Sequence, residues 1–272
     1  MGFFTPKVQK EISKDDKPPK GLLLFFTVLW RKLFAMIGLS LIYTVFALPM
    51  VFAILTATPF MLEWVGLPPY QNFLNFTHLA GGNPGIAQLI ILGIFAVAAL
   101  FLGPANCGMA YVMRAFVRQE HVWPFYEFFR ALWKNIRKGL LFGFLDFIVY
   151  ALLLLAYSYY SVMPSPMYYL QFLVLAGGVV YTMMRMYVYD MIVTLDLKTR
   201  DIFRNAFYLS IARLPRNLIA LALCILIAYG TYMLSLYAFL ATPFFLFSVL
   251  ALIVNIYTYP VIRKHLEEAK SE

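Results

Sequence analysis

"FYEFFRALWKNIRK", residues Phe125 to Lys138, winds into a helix that is aromatic on one side and basic on the other. The i, i+3, i+4, i+7 spacing stacks Phe125, Phe128, Phe129, Leu132, Trp133 and Ile136 on one face and distributes Glu127, Arg130, Lys134 and Arg137 around the rest. Such a helix suits an interface, where rings enter lipid while cations meet water and phosphate. The stretch then runs straight into an apolar segment, Leu140 to Tyr160, long enough to cross a bilayer.

The same order stands before the first apolar segment of the chain. There Leu22, Phe25, Phe26, Leu29, Trp30 and Leu33 form the stripe, with Arg31 and Lys32 at its polar edge. A weaker third version is "IFRNAFYLSIARLPRN", Ile202 to Asn217, with Ile202, Phe203, Ala206, Phe207, Ile211 and Leu214 as the stripe. Its Phe207, Ile211 and Arg213 align with Phe128, Leu132 and Lys134. Each version precedes an odd-numbered apolar segment, so the chain reads as three repeats, each an amphipathic interfacial helix followed by two crossings. These helices anchor in anionic lipid, dock a cytoplasmic partner or form a ligand site; the first two roles are compatible. The residues assigned to such contacts are Trp30, Arg31, Lys32, Arg130, Trp133, Lys134, Arg137, Lys138, Arg213 and Arg216.

Composition agrees with a lipid setting. Of 272 residues, 62% are hydrophobic and only 13% charged, too few charges to coat a water-soluble domain of that length. Six crossings are expected: Leu33 to Leu62, Ile86 to Val112, Leu140 to Tyr160, Tyr169 to Leu195, Leu218 to Leu236, and Phe239 to Ile262, the last two separated by a turn near "LATP". The fold class is therefore all-α, a polytopic membrane protein with six transmembrane helices.

The formal net charge is +9, but the 22 Lys and Arg are grouped in Lys7 to Lys32, Arg114 to Lys138, Arg185 to Arg216 and Arg263 to Lys270. That alternation is what the positive-inside rule produces, so the positive sign reports topology rather than nucleic acid. It places both termini in the cytoplasm. The domain reading is residues 1–20 as a polar cytoplasmic segment without a secretory signal, 21–262 as one membrane domain, and 263–272 as a short cytoplasmic tail. Outside, only Glu63 to Gly85 is long; its Gly, Pro, Asn and aromatic content predicts an irregular cap on the membrane.

No GxxxxGK[ST], HExxH, paired CxxC or GxSxG is present, and His78, His121 and His265 fall on different segments, so no metal, cofactor or enzyme chemistry is expected. Cys107 and Cys224 read as small packing residues. Pro49, Pro59 and "GPANCG" at Gly103 to Gly108 mark kinks, a close helix approach or a substrate-lining discontinuity. The ionisable residues within the crossings are Asp146, Arg185 and Asp190, with Asp196 at an inner end. Charges at membrane depth are costly and face protein or water. The sequence predicts Asp146 and Asp190 near the inner interface and Arg185 deeper. A structural pair of Arg185 with Asp146 or Asp190 stands beside a solute-binding or proton-coupling role. Tyr181, Tyr187 and Tyr189 are deep enough to line such a site or simply to pack.

"GPANCGMAYVMRAFVRQEHVWPFYEFFRALWKNIRKGLL", Gly103 to Leu141, resembles the YesL family of small multi-pass bacterial membrane proteins. The resemblance rests on Gly103 and Pro104, Tyr111, Arg114, Arg118 to Glu120, Phe128 and Phe129, and Lys134 and Asn135. "NAFYLSIARLPRNL", "WRKLFAMIGLSLIYTVFALPM" and "YPVIRK" add to it. It implies a place beside carbohydrate uptake and polysaccharide utilisation in Gram-positive bacteria, particularly binding-protein-dependent sugar import, and supplies no catalytic residues. This chain is longer than typical members. It has neither an ATPase motif nor the EAA-type loop of permease subunits. The expected function is a non-enzymatic accessory or regulatory component with sugar-importer subunits or further copies of itself as partners; the alternative is a stand-alone small-solute transporter or channel.

Overall fold

A computed structural model describes residues 21–64, 84–195, 197–234 and 236–271. Among them are nine α-helices, one short 3-10 turn and no strand: α1 (Leu22–Arg31), α2 (Leu33–Trp64), α3 (Pro84–Val117), α4 (Pro124–Lys134), α5 (Ile136–Ser161), α6 (Leu170–Thr194), α7 (Thr199–Ala212), α8 (Leu214–Leu234) and α9 (Leu236–Ser271). Six stretches are long and apolar enough to cross a membrane: Leu33–Phe52, Leu92–Val117, Ile136–Ser161, Met167–Thr194, Leu214–Thr231 and Pro243–Arg263. This is a multi-pass membrane protein. Residues 1–20, residues 65–83 of the expected outer cap, and Asp196 lie outside the described residues.

The short helices meet the long ones at bends rather than loops. Lys32 after α1 (φ −117°, ψ 18°), Asn135 after α4 (φ −108°, ψ 16°) and Arg213 after α7 (φ −121°, ψ 31°) each leave the helical region for a single residue. The N–H of each still reaches a carbonyl four residues back, Val28, Ala131 and Leu209 respectively. Every elbow is therefore a nearly continuous hydrogen-bonded ladder with one bent link, which fixes the exit angle of the following crossing. The geometry also corrects the sequence alignment. Arg213 is the counterpart of Asn135, not of Lys134, so the third stripe moves by one residue.

Packing follows a regular order. Helices α3, α6 and α9 touch one another. Around them α2 sits between α9 and α3, α5 between α3 and α6, and α8 beside α9 with only slight contact to α6. Each short helix rests on an inner one: α1 on α9, α4 on α3, α7 on α6. The tightest seam joins α3 and α5, where Gly103, Gly139 and Gly143 let backbones meet. A Cβ on Gly103 would run into the Gly139 carbonyl, and one on Gly143 into the Ala99 carbonyl. In lipid, helix association relies on such close van der Waals fit, because burying apolar side chains brings no gain there. The "GPANCG" stretch is thus a close approach and not a break: α3 continues through Pro104, and Gly108 lies against the Phe128 backbone, seating α4.

Two further expectations change. The turn expected near "LATP" does not form, because α9 runs through Pro243, just as α2 runs through Pro49 and Pro59 as the single crossing expected there. Proline within a membrane helix is tolerated when neighbouring groups and local adjustment satisfy the carbonyl it frees. The α4 stripe is split between two partners. Phe128, Ala131 and Leu132 are buried in protein, whereas Phe125, Tyr126, Phe129 and Trp133 are exposed. The last helix continues through the expected tail to Ser271.

Candidate functional site

Asp146 lies toward the middle of α5 rather than in its first turn. Its depth matches that of Arg185 on α6, whose Nε stands 2.9 Å from Asp146 Oδ2. Isolated, either charge would be expelled from hydrocarbon; opposed, they form a neutral unit. The carboxylate receives more than the arginine. Tyr181 donates its hydroxyl to Oδ1 and Tyr189 donates to Oδ2, both at 2.8 Å. The guanidinium is flanked by the Tyr150 and Tyr189 rings, 5.8 and 5.6 Å from their centroids, a cation-π setting. Tyr150 bonds Thr182 at 3.1 Å, and because the Thr182 hydroxyl proton goes to the Gly178 carbonyl, Tyr150 is the donor.

This cluster reaches across four helices. Tyr189 lies against Asn106 of α3, and Asn106 accepts the hydroxyl of Tyr43 from α2 at 2.7 Å. A polar track from Tyr43 through Asn106 and Tyr189 to Asp146 and Arg185 results. It fixes the positions of the Asp146 and Arg185 charges relative to α2 and α3. No metal-binding group of three or more His, Cys, Asp or Glu occurs among the described residues.

Asp190 belongs to a different place. It is buried where α3, α6 and α9 converge, takes a hydrogen bond from Thr258, and lies within electrostatic reach of Arg114. A carboxylate in the last turn of a helix opposes the helix dipole, and Arg114 answers that. Its Nη1 reaches the Val193 carbonyl and Thr194 Oγ1, both at 2.9 Å, so it closes the α6 C-terminus from the neighbouring helix. The Arg185 alternatives are therefore distributed: Arg185 meets Asp146, while Asp190 meets Thr258.

A third device sits where α7 becomes α8. Asn217 gives its amide to the Leu209 and Ser210 carbonyls at 3.0 and 2.9 Å and accepts the Tyr187 hydroxyl at 2.6 Å. One buried side chain thus closes the end of α7 and ties it to α6. Replacing Asn217 by leucine removes three buried hydrogen bonds and should lower stability by about 2–4 kcal/mol, read as an earlier thermal transition in detergent.

The surface residues singled out in the sequence are spread over three elbows and do not converge. Trp30 and Trp133 are exposed at 86% and 65%, so their rings face outward rather than into the bundle. Arg31, Lys134, Arg137 and Arg216 are exposed. Lys32 lies over the Phe116 ring at 5.7 Å, Arg130 pairs with Glu127 at 3.2 Å, Lys138 donates to the Leu197 carbonyl at 3.0 Å, and Arg216 lies over Tyr257 at 5.6 Å. Arg213 is half-buried. Reasoning from charge alone missed Tyr43, Asn106, Arg114, Asn217 and Thr258. For the neutral ones the available signal was an amide or hydroxyl inside an apolar run, which bonds across helices when it is deep. Cys107 and Cys224 are both free. No family model, curated protein or solved structure matches the chain.

Proposed function

We propose that this protein is a non-enzymatic accessory or regulatory component of the bacterial cytoplasmic membrane, built of three repeats with both termini inside and working beside carbohydrate import. The observation that carries the non-catalytic part is the full engagement of the Asp146 carboxylate. Asp146 is met by Arg185, Tyr181 and Tyr189, with no unsatisfied carboxylate oxygen presented to a reactant. What remains outward is aromatic and basic surface on the short helices, including Trp30, Trp133 and Lys134, suited to anionic lipid and to a partner. The link to sugar import rests on the YesL resemblance alone.

Support for three repeats comes from the matching elbows and the order of packing, in which α1, α4 and α7 occupy equivalent places. "YVM" at Tyr111, "YVY" at Tyr187 and "YTY" at Tyr257 fall near the C-terminal ends of the apolar stretches Leu92–Val117, Met167–Thr194 and Pro243–Arg263. The alternative, a stand-alone transporter, is favoured by the track from Tyr43 to Arg185, since repeats often frame a solute site.

Affinity capture from native membranes in mild detergent tests the choice. Recovery of sugar-importer subunits in fixed proportion is expected. Solute flux into liposomes containing only this chain, lost in Arg185→Gln while the protein stays folded, would replace the accessory reading by the transporter.

A further inference from the structure

At each elbow one cation already has a partner: Lys32 lies over the Phe116 ring, Lys138 donates to the Leu197 carbonyl, and Arg216 lies over the Tyr257 ring, which holds its guanidinium at the mouth of the third elbow. At the third, where α7 meets α8, Arg204 and Arg216 are exposed and Arg213 is half-buried, and no described acidic side chain forms an ion pair with any of them. Two adjoining hollows of about 700 and 420 Å³ open at this elbow and share Tyr208 and Ala212. Arg204 lines the first; Arg213, Pro215 and Arg216 line the second.

A long apolar surface begins at the same point. Ile219, Ile225 and Leu226 of α8 are 70%, 58% and 66% exposed, and α8 has only slight contact with α6. An arginine-lined hollow at the end of an uncovered apolar helix matches a molecule with an anionic head and long hydrocarbon tails. Planar guanidinium groups hold phosphate oxygens in paired hydrogen bonds, and basic pockets beside membrane helices favour anionic headgroups.

We propose that the α7–α8 elbow is a binding site for one anionic phospholipid, its phosphate held by Arg213 and Arg216 with Arg204 at the rim, its acyl chains along α8. This rests on the reading of the short helices as lipid-facing and deepens it from a general attraction to a site of fixed stoichiometry.

Native mass spectrometry of the full chain in detergent tests the site, because micelles have no sides and the result is independent of membrane orientation. Titration with phosphatidylglycerol or cardiolipin should give one saturable bound lipid per chain, and phosphatidylethanolamine none. The R213Q/R216Q variant should bind roughly tenfold or more weakly, whereas K134Q/R137Q at the second elbow should bind as the parent does. Equal binding of anionic and zwitterionic lipid by the unmutated chain would overturn the site without recourse to any variant. So would unchanged affinity in R213Q/R216Q, or equal loss in both double variants. Displacement of the lipid by inorganic phosphate at matched concentration would identify a free-anion site instead and equally overturn the lipid assignment. A positive titration alongside failure to recover importer subunits leaves the lipid site standing and removes only the accessory role.

Discussion

Asp146→Leu should destabilise the protein by about 3–5 kcal/mol, the cost of leaving a buried charge without its partner. Arg185 would face the middle of the bundle with no carboxylate beside it, and the Tyr181 and Tyr189 hydroxyls would lose their acceptor. Arg185→Met alone should be nearly as harmful, since the remaining carboxylate is then held only by two neutral hydroxyls. The double variant, D146L/R185M, should recover much of the loss, because a compensated pair taken out together removes its desolvation cost as well as its attraction. Thermal unfolding in detergent, with recovery of monodisperse protein as a second readout, measures all three. If each single variant melts with the parent, the pair is solvated and the track is an open pathway.

Gly103→Leu is the other substitution expected to do severe damage, at least ~3 kcal/mol, because the clash is with backbone and cannot be relieved by a rotamer change. The Gly139 carbonyl occupies the space that the first side-chain carbon would take. Helices α3 and α5 would have to part along the seam that also carries Gly143. Gly177→Leu on α6 is the control. Nothing lies within 4 Å of the position a Cβ would occupy there, so the change should be neutral or mildly stabilising through helix propensity. The contrast in melting temperature between the two variants isolates contact from any general intolerance of larger residues.

The legible part of this molecule was whatever periodicity and length encode. The six apolar helices and the three short helices before α2, α5 and α8 follow from local pattern, because lipid imposes strong rules on length and on charge. Helix ends were less legible. Basic residues such as Arg137 and Lys138 lie inside α5, since a helix continues into the headgroup region where the apolar run stops. The partner of Arg185 was not readable, because the choice between Asp146 and Asp190 depends on which faces α5 and α6 turn toward one another, and both helices are apolar almost all round. The same ambiguity hid Asn106 and Asn217. Their position in sequence shows that they are buried or lipid-facing, but only the packing shows that one accepts from Tyr43 and the other closes α7. The α4 stripe misled for a related reason: a ring that contacts protein and a ring that contacts lipid look identical in a hydrophobic pattern.

The pairing of deep charges also bears on voltage. A potential of 100 mV exerts about 2.3 kcal/mol on one elementary charge carried across the whole bilayer. Arg185 and Asp146 carry one positive and one negative charge, paired at 2.9 Å across α6 and α5. A displacement that keeps this pair together moves no net charge through the field, so polarising or depolarising the membrane should exert no net force on it.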